Sequence, residues 1–218
     1  LISVPAQANS LVETIKNVKP SIVGVGTYQE ITRPPSKLLG TGFLVVDNRH
    51  IITNSHVLPK SLRVSRREFY CIFVGMGRDA AIVRVTVVMR DDDHDIALLR
   101  AEEPIDSKPL TLRGNAKLDE GEQVAFTGFP IGTVLGLHPV THRGIISAKT
   151  PIVIPQATPT RLDPQMIKRL RGAFEVYQLD ATAYPGNSGS PLYNPANGEV
   201  VGIVSSVFIK ESKEKALS

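Results

Sequence analysis

The chain has 218 residues, enough for one α/β or all-β unit or for two small β-barrels sharing a cleft. Apolar residues make up 42%, ample for a core, and a net charge of +4 with few aromatic residues gives no basis for a nucleic-acid partner. A single cysteine, Cys71, excludes an intrachain disulfide, and no apolar run reaches the roughly 18 residues that a membrane span needs.

The densest basic stretches, Arg63 to Arg67 and Lys168 to Arg171, read as solvated surface. Cys71 lies in the apolar run Tyr70-Cys71-Ile72-Phe73-Val74 and reads as a buried, inert thiol. The histidines His50, His56, His94, His138 and His142 show no metal-ligand spacing, because Pro139 argues against a helix between His138 and His142. No metal site is expected. The start of the chain, Leu1 to Ala8, has two readings: the tail of a signal peptide ending in Ala6-Gln7-Ala8, or ordinary mature sequence.

The first predicted element is a helix from about Asn9 to Val18. Ser10 and Glu13 have capping-box spacing, Leu11, Ile15 and Val18 share a face, and Pro20 ends it. Short strands follow: Ile22 to Tyr28, Gly40 to Val46, Ile51 to Thr53, Tyr70 to Val74, Ala81 to Met89 and Ile96 to Leu99. A polar connector, roughly Ala101 to Gly121, separates them from a second series that begins near Leu118: Gln123 to Phe126, Gly144 to Ser147, Val176 to Leu179, Pro191 to Tyr193 and Val200 to Phe208. One helix interrupts this series, with Asp163 as N-cap, Pro164 at the first position and Gly172 at the stop. The reading is an all-β chain of two modules split near residue 110, and closed barrels are one way for such strands to bury their edges.

Three segments carry chemistry. In Tyr184-Pro185-Gly186-Asn187-Ser188-Gly189-Ser190-Pro191-Leu192, a serine between glycines can sit on a tight turn with its hydroxyl exposed. The same turn, Gly186-Asn187-Ser188, can aim the N–H groups of Gly186 and Ser188 at a developing oxyanion. In Ile51-Ile52-Thr53-Asn54-Ser55-His56-Val57, an apolar strand delivers His56, a base suited to taking the serine proton near neutral pH. In Asp91-Asp92-Asp93-His94-Asp95-Ile96-Ala97, an acidic cluster runs into a strand. Asp95 sits where the chain turns inward and is the expected partner of the histidine, Asp93 is its competitor, and His94 is expected to point away. The order His, Asp, Ser, with separations of 39 and 93 residues, puts two members on the first module and the serine on the second. That order matches chymotrypsin-like enzymes and differs from α/β-hydrolases and subtilisins.

At this point the chain resembles the HtrA/Deg branch of trypsin-like serine proteases. The resemblance is carried by Gly40-Thr41-Gly42-Phe43, Thr53-Asn54-Ser55-His56-Val57, His94-Asp95-Ile96-Ala97-Leu98-Leu99, Gly128-Phe129-Pro130-Ile131-Gly132 and Pro185 to Leu192. It implies an all-β, chymotrypsin-like double β-barrel, here with an N-terminal helix and one short inserted helix. Residues 1–218 would form one protease domain, its N-terminal barrel over about 20–110 and its C-terminal barrel over about 118–218. It also implies a His56, Asp95 and Ser188 triad, no cofactor, and cleavage of unfolded or exposed polypeptide. The chain departs from the family pattern in having Gly189-Ser190 rather than Gly-Gly and a longer 150–174 segment; no PDZ domain is expected within the 218 residues, and the final strand of the second barrel is expected either to be missing from this sequence, which stops at Ser218, or to be unusually short.

The resemblance also places the specificity pocket. Its floor would be Thr182, six residues before the serine, and its wall Val204-Ser205-Ser206-Val207. With no acid at the floor and a branched Val207 on the wall, small or medium aliphatic residues are expected on the acyl side of the cut. Asn187 stands where digestive enzymes have an aspartate that pairs with a new N-terminal amine. A neutral amide cannot make that ion pair, so activation by that route is not expected. The family often trimerises through its N-terminal segment; for Leu11 to Tyr28 a homotrimer and a monomer are equally open. Absence of disulfides fits a bacterial periplasm or cell envelope without excluding other compartments. Two alternatives remain: a catalytically silent peptide-binding or chaperone-like relative, and an acyl hydrolase on an unrelated fold.

Overall fold

The computed structural model describes residues 11–114, 117–130, 136–151 and 175–205. Helix α1 (Leu11–Val18) comes first and buries Thr14 and Val18. Ser10 of the expected capping box lies outside the described residues. Pro20 does end the α-helix, but the chain continues through a 3-10 turn, Lys19–Ser21, in which proline is tolerated near the start. Among the described residues no helix is long and apolar enough to cross a membrane.

Among the described residues eleven strands follow: β1 (Ile22–Tyr28), β2 (Ser36–Val45), β3 (His50–Thr53), β4 (Phe69–Val74), β5 (Ala81–Asp91), β6 (Ile96–Ala101), β7 (Gln123–Gly128), β8 (Val140–Pro151), β9 (Glu175–Leu179), β10 (Pro191–Tyr193) and β11 (Val200–Ile203). The first six close into an antiparallel barrel in the order β1-β2-β3-β6-β5-β4, with β4 pairing back onto β1. The other five form a sheet ordered β11-β10-β7-β8-β9. The fold is all-β and of the double-barrel kind, with five strands in the second half among the described residues. The expected helix from Asp163 to Gly172 and the end of the last strand, residues 206–208, lie outside them.

Alternation along β1 and β2 explains how the halves join. Val23, Val25 and Leu44 point into the closed barrel with Ile51, Ile72, Val85, Ala97 and Leu99. Ile22, Phe43 and Val45, on the other face of the same strands, meet Ala125, Phe129, Tyr193 and Val200 of the second sheet, together with Val18 of α1. Nearly every residue of β1 is therefore buried, and its sequence reads as a continuous apolar run rather than an alternating one. A third cluster, including Leu118, Val124, Phe126, Ile146 and Leu192, fills the second half. Cys71 is fully buried in the first barrel, and burial pushes its thiol up to about 12.

The connector between the halves is less polar in effect than its composition suggests. Ile105 is buried in the first barrel and Leu118 in the second. Between them the backbone runs as a strap. Leu110 N–H donates to the Leu44 carbonyl at 2.9 Å, while Val200 N–H donates to Thr111 O and Arg113 N–H to Val200 O, both at 2.8 Å. Isolated apolar anchors in a polar run have no periodicity, so sequence pattern does not show them.

Leu99 is fully buried at the centre of the barrel cluster. Leu99→Ala should lower the unfolding free energy by about 2–5 kcal/mol in urea titrations, through lost apolar burial and the cavity left behind.

Candidate active site

Strand β3 ends in Thr53, whose hydroxyl donates to the Thr41 carbonyl at 2.7 Å. The chain then passes through the buried Asn54 into a 3-10 turn, Ser55–Val57, that carries His56. The facing loop joins β5 to β6 and is organised by its own acids. The Asp91 carboxylate accepts the N–H groups of Asp93 and His94, each at 3.1 Å, and the His94 ring at 2.7 Å. Asp95 leaves this turn with φ at +56°, a left-handed conformation uncommon for a residue other than glycine. That conformation lets one residue serve the histidine loop twice. The Asp95 carbonyl accepts Ser55 N–H at 3.2 Å and the Asn54 amide at 2.9 Å. Its carboxylate accepts the His56 backbone N–H at 2.9 Å.

The His56 ring closes the arrangement. Nδ1 lies 2.7 Å from Asp95 Oδ2 and 3.0 Å from Oδ1. An ionised carboxylate only accepts, so Nδ1 carries the proton and the lone pair of the neutral ring falls on Nε2. Asp93 is exposed and His94 is turned onto Asp91, so of the candidate acids it is Asp95 that meets His56. Burial works to raise the Asp95 carboxyl, but hydrogen bonds from the His56 ring and backbone, with a further one from Ser205, outweigh it and hold the group below the usual carboxylate value.

Ser188 arrives from the second half. Its turn is closed by Asn187 N–H donating to Tyr184 O and Ser190 N–H donating to Asn187 O, both at 3.0 Å. It is anchored behind by Gly189 N–H to Val204 O and Val204 N–H to Ser190 O, both at 2.9 Å. Gly189 has φ at +88°, and a Cβ there would fall 1.9 Å from the Thr41 carbonyl, so only glycine fits. Thr41 on β2 is the meeting point. Its N–H donates to Ser188 O at 2.8 Å, its hydroxyl donates to Gly186 O at 2.7 Å, and the same hydroxyl accepts Phe129 N–H at 3.0 Å. The neighbouring Gly40 locates the serine turn relative to the histidine turn. A Cβ built there would lie 2.7 Å from Val57 Cγ2 and 2.9 Å from Ser188 O. The residue after His56 and the backbone of Ser188 therefore converge on one point of β2.

The expected pocket residues are less uniform. Thr182 is exposed, and Val204 turns its side chain into the second-sheet core with Leu118, Phe126 and Ile146. Ser205, expected on the pocket wall, donates its hydroxyl to Asp95 Oδ2 at 3.0 Å. Ser206 and Val207 lie outside the described residues. Sequence reasoning did not single out Thr41 beyond its motif, nor Arg90, whose guanidinium holds the histidine turn through Ser55 O at 2.7 Å and Leu58 O at 2.8 Å. The one available signal for Arg90 was an arginine at the end of an apolar strand, just before the acids. A separate hollow of about 620 Å³, lined by Lys16, Asn17, Asn48 and Lys108 among others, contains none of these groups.

Residues 40–203 match the family described as the trypsin-like peptidase domain, and the chain belongs to that family. Within it, the resemblance to the HtrA/Deg branch is borne out by relatives. Over 181 residues it is 33% identical to a DegP-like protein of Halomonas elongata, whose name describes a periplasmic serine endoprotease; this spans 83% of the chain and 32% of the relative. It is 29% identical over 198 residues to serine protease HTRA1A of Danio rerio, spanning 89% of the chain and 36% of that protein. The chain thus spans about a third of the curated relatives it matches. Two crystal structures share the fold. The Rv3671c protease from M. tuberculosis in its active form has a TM-score of 0.65 at 24% identity, covering 92% of this chain and 75% of that one. Deg5 has a TM-score of 0.63 at 22% identity, covering 90% and 84%.

The depressed Asp95 carboxyl fixes the sign of one pH dependence. A carboxyl held below its unfolded value contributes stability that is fully present above the unfolded pKa and is lost as pH falls through the folded one. Urea titrations below about pH 5 should show the stability advantage of the parent over Asp95→Asn shrinking progressively as the pH falls. An advantage that grew as the pH fell below about 5 would contradict the assignment of donors to Asp95.

Proposed function

We propose that this chain is the catalytic domain of a serine endopeptidase, with Ser188 as nucleophile, His56 as general base and Asp95 as the group that orients the ring. The reading is supported above all by the 2.7 Å His56–Asp95 contact. It fixes a ring whose acceptor nitrogen is Nε2, and the turn that carries this ring meets the Ser188 turn beside Gly40 through Val57. In this reading Ser188 Oγ attacks the scissile carbonyl while His56 Nε2 takes its proton, and the imidazolium is balanced by Asp95. The N–H groups of Gly186 and Ser188 stabilise the oxyanion, with Asn187 as the turn residue between them. The intermediate collapses as His56 protonates the leaving amine. Water, deprotonated in turn by His56, then releases the acyl group and restores Ser188 Oγ–H.

The substrates of this reading are unfolded or exposed polypeptides, without a cofactor. An uncharged Thr182 and a branched Val207 support small or medium aliphatic residues before the cut, although one methylene in such a pocket discriminates by only about 1–3 kcal/mol. The name of the Halomonas relative supports a periplasmic or envelope location. Of the large apolar side chains in residues 11–28, only Val12 is exposed, because β1 is used up inside the barrel, and this favours a monomer over a homotrimer built on that segment. Sedimentation velocity showing a trimer would reverse that choice.

The parent protein should cleave unfolded casein and react with a fluorophosphonate probe. Ser188→Ala should abolish labelling and reduce kcat on the order of 10⁶-fold, as removal of such a nucleophile does. Mass spectrometry of the fragments should find Ala, Val or Leu before the cut. A parent inert to both casein and probe, even with added peptides, would move the assignment to a catalytically silent peptide-binding relative.

A further inference from the structure

The 3-10 turn that carries His56 is weakly held by its own backbone. Its two bonds, Val57 N–H to Asn54 O and Leu58 N–H to Ser55 O, are 3.3 and 3.1 Å long. Such turns have poorer hydrogen-bond geometry than an α-helix, and their last carbonyls lack partners within the turn. The end of β5 gives Ser55 O a second donor beside Leu58 N–H and supplies a donor to Leu58 O. Arg90 Nη2 donates to Ser55 O at 2.7 Å and to Leu58 O at 2.8 Å, and these two carbonyls flank His56-Val57. Arg90 Nε donates to the Ser55 hydroxyl at 2.7 Å and to Asp92 Oδ1 at 3.1 Å, and the Ser55 hydroxyl in turn donates to the same Asp92 oxygen. The Arg90 side chain is about three-quarters buried, at 23% exposure.

We infer that Arg90 is a positioning residue for His56: its planar fork fixes both ends of the turn that aims the imidazole, without touching the reacting atoms. The inference rests on the proposed triad. The fork does what an ammonium cannot. One planar group reaches two carbonyls, a hydroxyl and a carboxylate at fixed angles, whereas a lysine is a point charge on a flexible stem. Asp92 balances the charge, so a full positive charge does not stand uncompensated beside the ring. Asp95 fixes the ring itself, through Nδ1 and the His56 N–H. The turn is thus held by Asp95 at the ring and by Arg90 at its carbonyls, and loss of the Arg90 hold lets the ring swing about the Asp95 contact. Misplacement of a catalytic group by about 1 Å can cost on the order of 10²-fold in rate.

The test compares the parent with Arg90→Lys, and with Arg84→Lys as a control. Arg84 is a second arginine of β5, and it lies over the Phe69 ring, away from the histidine turn. Three quantities are read: kcat and KM on a peptide substrate, the NMR resonance of the His56 Nδ1 proton, and the urea midpoint. For Arg90→Lys the expected result is a fall in kcat of about 10²-fold with KM within about threefold of the parent. The Nδ1 proton should broaden or exchange, and the urea midpoint should stay close to the control. An unchanged kcat overturns the inference, as does a resonance that persists while kcat falls. If Arg90→Lys does not fold, Arg90→Ala is assayed with millimolar guanidinium, and failure of the added ion to restore kcat and the resonance overturns it equally. The resonance is read without turnover. A parent that neither cleaves nor labels would defeat the endopeptidase reading, whereas loss of the resonance in Arg90→Lys would still report on the grip.

Discussion

Thr41 is the constraint on which the rest of the site depends. It is fully buried on β2, between the two halves, and every polar group it has is used. Its carbonyl receives the Thr53 hydroxyl from the strand leading to His56, its N–H holds the Ser188 carbonyl, and its hydroxyl bridges Phe129 N–H and Gly186 O. One residue thus sets the spacing between a loop of the first barrel and a turn of the second sheet. Side-chain size matters as much as bonding here. The threonine backbone comes so close to Gly189 that a methyl group there would overlap the Thr41 carbonyl. The order His, Asp, Ser along the chain becomes a site in space only because β2 has one face for each half.

The serine turn is well tied at its edges and poorly satisfied inside. Both side-chain polar atoms of Asn187, and the Ser190 hydroxyl, are buried without a protein partner. A buried polar group left unpaired costs on the order of 1–3 kcal/mol, and a buried water bonded to several of them removes that cost. Ser190, where the family has glycine, adds one such group. An amide at position 187 also has no charge with which to draw an ammonium group inward. The order of this turn therefore depends on Thr41, Val204 and the backbone, rather than on an ion pair beneath Ser188.

Much of this was legible in the sequence, for physical reasons. β1 and β10 match their expected limits, because each apolar run is bounded by turn residues or a proline. The pairing of His56 with Asp95 was legible because a buried carboxylate at the end of an acidic run needs a donor. What was not legible is what arises from long-range contact. Ser205 is 110 residues from Asp95 in sequence, yet its hydroxyl bonds the carboxylate, and no local pattern distinguishes it from a pocket serine. The connector was read as polar because Ile105 and Leu118 are single anchors. β2 starts at Ser36 rather than Gly40, since pairing with Tyr28 extends the strand over residues of low strand propensity.

The electrostatics of the pair follow from the same packing. Asp95 is partly buried, which alone would favour its neutral form, and a neutral acid could not balance an imidazolium. Three donors prevent this: the His56 ring and backbone N–H and the Ser205 hydroxyl reach its carboxylate, while the Asn54 amide occupies its backbone carbonyl. The left-handed backbone at Asp95 makes this possible, because it turns carbonyl and carboxylate toward one loop. An extended conformation would direct them apart along β6. Backbone strain at one residue is in this way exchanged for a fixed negative charge beside the histidine, and the acidic turn from Asp91 to His94 supplies the hydrogen bonds that hold the strained residue in place.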